Sequence, residues 1–194
     1  DDFDERDAST VRVKLRWDPT ENFSAIASYS YASNVGTWAE ADNAFFPAVR
    51  VNFSDFTFRH GSQHQTFGLR TRWNINNAWT LETETTQYYQ DYFRNGDNDF
   101  SPTPGNTFLR RGGSQAFEQD IELKFDYDTV RGVVGFFYTD LNSTNPTVLN
   151  SVFGANTLSI LRDFGVGSEN YAVFADVDLD IGAIPGLTLN VGAR

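Results

Sequence analysis

Apolar and polar side chains alternate one for one along most of this chain. In the stretch 117–125, Phe117, Ile121, Leu123 and Phe125 occupy odd positions, while Glu118, Asp120, Glu122 and Lys124 occupy even ones. A period of two is the mark of a β-strand with one apolar and one polar face. Seven further segments predict strands: STVRVKLRW, FSAIASYSY, QTFGLRTRW, WTLETETTQYY, GVVGFFYTD, YAVFADVDLDI and LTLNVGAR. In the first, Val11, Val13, Leu15 and Trp17 oppose Arg12, Lys14 and Arg16; in the third, Phe67, Leu69 and Trp73 oppose Arg70 and Arg72; in the fourth, Trp79 and Leu81 oppose Glu82 and Glu84. The segment GVVGFFYTD departs from the rule, because Val133 and Phe137 fall on the otherwise polar side with Gly135. No segment carries a helical period.

The connections alternate in length. DPTEN, NINNA, DYDTVR and GAIPG are tight and carry turn chemistry. Residues 32–64, 90–115 and 141–169 form long connections rich in Asn, Gly, Ser, Asp and Pro. Compact soluble domains rarely carry several such loops, whereas outer-membrane barrels have short periplasmic turns and long extracellular loops. Segments of about nine to eleven residues also suit a tilted bilayer crossing.

Aromatic placement points the same way. Trp17, Phe23, Trp73, Trp79 and Phe125 cluster at the short-turn ends of their strands, and Tyr29, Tyr31, Tyr89, Phe117, Tyr138 and Tyr171 at the other ends. Between them lie mainly Val, Leu, Ile, Ala and Thr. Two aromatic girdles around an aliphatic belt match the interfacial preference of Trp and Tyr. On this reading the odd positions of 117–125 face lipid, and Glu118, Asp120 and Glu122 face a watery or plugged lumen. The expected fold class is all-β, an antiparallel up-and-down transmembrane β-barrel segment of about eight strands.

Composition narrows the alternatives. Hydrophobic residues make up 40% of the chain, enough for a folded protein. A net charge of -11 argues against nucleic-acid binding, which needs clustered Lys and Arg. With no cysteine there is no disulfide framework and no Cys-ligated zinc. The absence of methionine predicts a processed product or an internal piece of a longer chain. No apolar run is long enough for a membrane helix, which leaves strands as the only means of crossing.

The stretch FEQDIELKF…VRGVVGFFYTD resembles a strand–turn–strand unit of the TonB-dependent outer-membrane receptors. ENYAVFADVDLDIGAIPGLTLNVGAR resembles a later hairpin of that family, and LRWDPTENFSAIASYSY is typical of such barrels. The resemblance implies a bacterial outer-membrane location and a larger barrel of about 22 strands. Residues 1–194 would then be a partial barrel, with the plug domain and C-terminal strands absent. It implies TonB-driven uptake of a large scarce nutrient such as a ferric siderophore, without catalysis. The implied partners are outer-membrane lipid, the protein's own plug domain, the TonB complex acting through that plug, and a small-molecule or metal-chelate ligand. It implies no cofactor. Two other classes compete: a passive porin or small outer-membrane barrel, and a soluble all-β ligand-binding module. Dependence on detergent separates the last from both barrel readings.

Candidate ligand contacts in the long connections are Trp38, Phe45, Phe46, Tyr92, Phe93 and Phe108, with Arg110 and Arg111 read as an arginine pair for anionic groups. The plug-facing or lumen-facing set is Arg12, Lys14, Arg16, Arg70, Arg72, Glu82, Glu84, Glu118, Asp120 and Glu122. Arg70 and Arg72 should pair across a turn with Glu82 and Glu84. Arg12, Lys14 and Arg16 have no acidic partner on the next strand, so they are expected to meet the last strand or a plug. His60 and His64, four apart, read as a solvated loop pair rather than a metal site. The acidic run 95–99 lacks EF-hand spacing, so no metal ligand is assigned.

Overall fold

The computed structural model describes residues 5–38, 57–97, 104–153 and 156–194. They form one antiparallel sheet of ten strands: β1 (Arg6–Thr20), β2 (Phe23–Trp38), β3 (Phe58–Asn74), β4 (Trp79–Asp97), β5 (Thr107–Asp126), β6 (Val130–Thr144), β7 (Thr147–Phe153), β8 (Asn156–Arg162), β9 (Gly165–Asp180) and β10 (Thr188–Ala193). The main path runs β1-β2-β3-β4-β5-β6-β9-β10, each strand beside its neighbour in sequence except across the β7–β8 hairpin. The sheet is up-and-down, and it is not closed on itself. No helix is present among the described residues.

All eight segments read from the alternation are strands here. Two features go beyond that reading. The strands are longer: β4 has 19 residues and β5 has 20, against the roughly nine to eleven that cross a bilayer. The extra length lies at the long-connection ends, where Gly61, Ser62 and Gln63 in β3 and Arg94, Asn95 and Gly96 in β4 blur the alternation. The backbone ladder continues there without a register break from Arg59↔Asn95 down to Asn74↔Thr80, because pairing needs only main-chain groups. The second feature is β7 and β8, a hairpin inside the connection 141–169 that docks on the upper part of β5 through Thr107–Arg110. Asn145 and Pro146 interrupt the pattern just before it.

The short turns are as tight as their sequences require. At Ile75–Ala78 the Asn76 side-chain oxygen accepts hydrogen bonds from the amides of Ala78 (2.9 Å) and Trp79 (3.0 Å), closing an Asx turn that launches β4. Between β9 and β10, Gly186 adopts φ +78°, a left-handed conformation that favours glycine after Pro185. Pro19 is tolerated near the end of β1 because that strand is paired only on the β2 side and the register shifts between Trp17 and Thr20.

Among the described residues the sheet has no second layer and therefore no core. Among the described residues Phe58 is the one buried hydrophobic side chain. The chain exposes 13645 Å², whereas a globular monomer of this mass would expose about 9,300 Å². Leu15, Trp17, Val173 and Tyr171 are 66%, 61%, 67% and 76% exposed. A lone sheet cannot shield such a surface from water, and stable domains cover it with another layer.

Candidate functional site

Register sorts the side chains into two faces. One carries Val11, Val13, Leu15 and Trp17 of β1, Ala25, Ala27 and Tyr29 of β2, and Phe67, Leu69 and Trp73 of β3. It continues through Trp79, Leu81 and Tyr89 of β4, Phe117, Ile121, Leu123 and Phe125 of β5, Val134, Phe136 and Tyr138 of β6, and Tyr171, Val173 and Val177 of β9. Between the two aromatic ends this face has no charged residue. Its polar members satisfy one another: Thr71 and Thr83 hydroxyls lie 2.8 Å apart, Thr85 donates to the Gln119 amide oxygen at 2.7 Å, and Gln87 donates to the Ala116 carbonyl.

The aromatic ends of this face are built from contacts. At the short-turn end Trp17 meets Phe23 edge-on at 6.0 Å. Trp79 packs on Phe125 at 5.4 Å and donates its indole N–H to the Tyr127 hydroxyl at 2.6 Å. At the far end Tyr29 packs on Phe67 at 4.8 Å and Phe117 on Tyr138 at 6.1 Å. Phe67 and Tyr127 thus join bands in which the sequence alone did not place them.

The opposite face gathers the charges. Arg12, Lys14, Arg16, Arg70, Arg72, Glu82, Glu84, Glu118, Asp120 and Glu122 all share it. Arg70 donates to Glu84 at 2.6 Å, and Arg72 reaches Glu82 at 2.9 Å, as the turn between β3 and β4 dictates. Register also sets Glu82 opposite Glu122 and Glu84 opposite Asp120, which repel. Lys124 relieves the first pair by reaching Glu82 at 2.7 Å and Glu122 at 2.9 Å. One buried oxygen of Asp120, Oδ1, has no hydrogen-bond partner among the described residues. Substituting Glu82 by glutamine removes the carboxylate shared by Arg72 and Lys124 but also ends its repulsion with Glu122. The expected loss is at most about 1 kcal/mol, since these groups are partly solvated. It should shrink with added salt, as denaturant unfolding at two ionic strengths would read.

Arg16 bonds to Asp18 on its own strand at 2.7 Å. The expected meeting of Arg12, Lys14 and Arg16 with the last strand does not occur, because β1 and β10 lie at opposite edges of the sheet. On β6 the charges give way to Val133 and Phe137, joined by Phe174 of β9, whose ring lies over Gly135. Phe137, Phe174 and Asp120 line a hollow of about 600 Å³ on this face.

Those of the expected ligand residues that are described lie in strands rather than loops. Tyr92 and Phe93 belong to β4, and Phe108, Arg110 and Arg111 to β5. Alternation then sends neighbours to opposite sides. Tyr92, Phe108 and Arg110 stand on the charged face, Phe93 and Arg111 on the other, so Arg110 and Arg111 do not form one anion-binding pair. Trp38 ends β2, paired with Phe58; Phe45 and Phe46 lie outside the described residues. His60 and His64 lie in β3, not in a loop, and His64 Nδ1 sits 3.0 Å from the Tyr88 hydroxyl.

Two residues that the sequence reading did not select, Phe58 and Arg94, join Phe108 at the outer end of the charged face. Phe58 packs on Phe108 at 6.3 Å, the Arg94 guanidinium lies 5.7 Å from the Phe108 ring centre, and Arg94 is paired with both His60 and Arg110. Only register brings them together, so no local motif announces them. The result is an aromatic and cationic surface suited to stacking and to anionic groups. No known family model matches this chain, and no curated protein matches its sequence.

Proposed function

We propose that this chain is part of the wall of an outer-membrane β-barrel of the TonB-dependent receptor type, importing a large scarce nutrient such as a ferric siderophore. One observation carries the barrel reading: the described residues form a single sheet without a core, with a charge-free apolar face between two aromatic bands and a charged opposite face. Lipid covers the first face at no cost in buried polar groups. The second suits water and a polar plug, with the acidic side chains of β4 and β5 and the basic ones of β1 and β3 as its contacts. The transport reading rests on the resemblance of the two hairpin stretches to that family. The protein does no catalysis here and takes no cofactor; the plug and the TonB complex are its partners. Arg94, Phe108 and Arg110, above the membrane on the inward face and backed by the buried Phe58, would greet an anionic chelate.

A bacterium lacking the gene tests this. It should lose growth on one ferric chelate under iron limitation and regain it with the gene restored, provided TonB is present. Normal growth on every chelate, with slower passive entry of small hydrophilic solutes, would favour a porin instead. Purification without detergent as a monodisperse species would favour the soluble module.

A further inference from the structure

The apolar face does not end at its outer aromatic band. Above Tyr89 the same face continues through Asp91, Phe93 and Asn95 of β4, flanked by Gln63, Gly61 and Arg59 of β3 and by Gly113, Arg111 and Leu109 of β5. These strands enclose a groove of about 530 Å³ lined by Arg59, Gln63, Phe93, Asn95 and Arg111. Arg59 and Arg111 are the first cations met on this part of the face above a belt that has none. Both are exposed, and neither forms an ion pair among the described residues.

We infer that Arg59 and Arg111 hold a phosphate of an anionic lipid in the outer leaflet. The inference rests on the membrane reading above. A soluble anion would need only the arginines; an amphiphile explains why they stand on the same face as the charge-free apolar belt, separated from its outer aromatic band by the single polar row of Gln63, Asp91 and Gly113. Arg111 shares its row with Phe93, four residues past Tyr89. That is about 13 Å along the strand at ~3.4 Å per residue, or about 10 Å in height at a tilt of ~40°. A long arginine stem can snorkel back toward the headgroup layer from there. Phe93 stands between the two arginines, held in place over Gly61. Asn95 accepts the Arg59 amide through Oδ1 at 3.2 Å, which leaves the donor end of its own amide for a ligand. Asp91 lies one row lower and repels a phosphate that sinks toward it, which sets the height of the bound group.

The test uses the full-length protein in detergent micelles and native mass spectrometry. Wild type should retain a bis-phosphorylated glycolipid about tenfold better than its dephosphorylated form, and R59Q/R111Q should lose that preference. D91N should raise retention about twofold to fivefold. R59K/R111K keeps both charges and serves if the glutamine variant fails to fold. Equal retention of the two lipids by wild type, or an unchanged preference in R59Q/R111Q, overturns the inference while leaving the membrane reading standing. Displacement of the lipid by millimolar inorganic phosphate would assign the arginines to a free anion and overturn it as well. A wild-type protein that needs no detergent would instead overturn the membrane reading itself.

Discussion

Arginine at Leu69 is expected to cost the protein about 2–4 kcal/mol of folding stability in a lipid bilayer. Leu69 lies at mid-height of β3, between Phe67 and Trp73, and is 45% exposed on the apolar face. A guanidinium there must leave water for hydrocarbon, and no carboxylate shares that face between the aromatic bands. The control is Thr86→Arg on the charged face, beside Glu118. It should be close to neutral, because a cation there meets water and an acidic neighbour. Equilibrium unfolding of both variants from lipid vesicles reads the contrast. Equal and small effects would mean that both faces meet water.

Alanine at Gly135 is expected to cost about 1–3 kcal/mol, through overpacking rather than backbone strain. A Cβ at this position would lie within 2.8 Å of three atoms of the Phe174 ring, which covers it from the paired strand β9. Truncating the ring should relieve the clash, so G135A in an F174A background should cost far less than in wild type. Strictly additive costs in the double-mutant cycle would show that the ring does not occupy this space. The same device recurs at Gly61 under Phe93, Gly96 under Phe58 and Gly112 under Tyr92. Each ring shields a stretch of strand backbone that a glycine leaves bare.

Much of this architecture was legible because one face is strictly apolar. Where Val11, Val13, Leu15 and Trp17 alternate with Arg12, Lys14 and Arg16, a slip of one residue would invert every side chain, so sequence fixes orientation as well as strand. The Arg70–Glu84 and Arg72–Glu82 pairs followed from the tight turn between β3 and β4. Legibility ended where both faces become polar. The outer halves of β3, β4 and β5 are held by main-chain ladders that leave no periodic trace, so they read as loops. For the same reason Arg110 and Arg111 read as a pair, although a strand sends them to opposite sides. Phe58, Arg94 and Phe108 are brought together across three strands, which no local pattern can report. Asp120 shows a further limit: its opposition to Glu84 comes from register, not from spacing.

These 194 residues carry no cysteine, so none of their own side chains competes with an introduced label. Single cysteines at 69, 70, 81, 82, 122 and 123 would carry nitroxide labels in the full-length protein reconstituted into lipid vesicles. Collision with dissolved oxygen, which concentrates in lipid, and with a water-soluble nickel chelate would then be compared site by site. Positions 69, 81 and 123 should favour oxygen and positions 70, 82 and 122 nickel, alternating along β3, β4 and β5. Equal access of the nickel chelate to both sets would contradict a lipid-facing sheet.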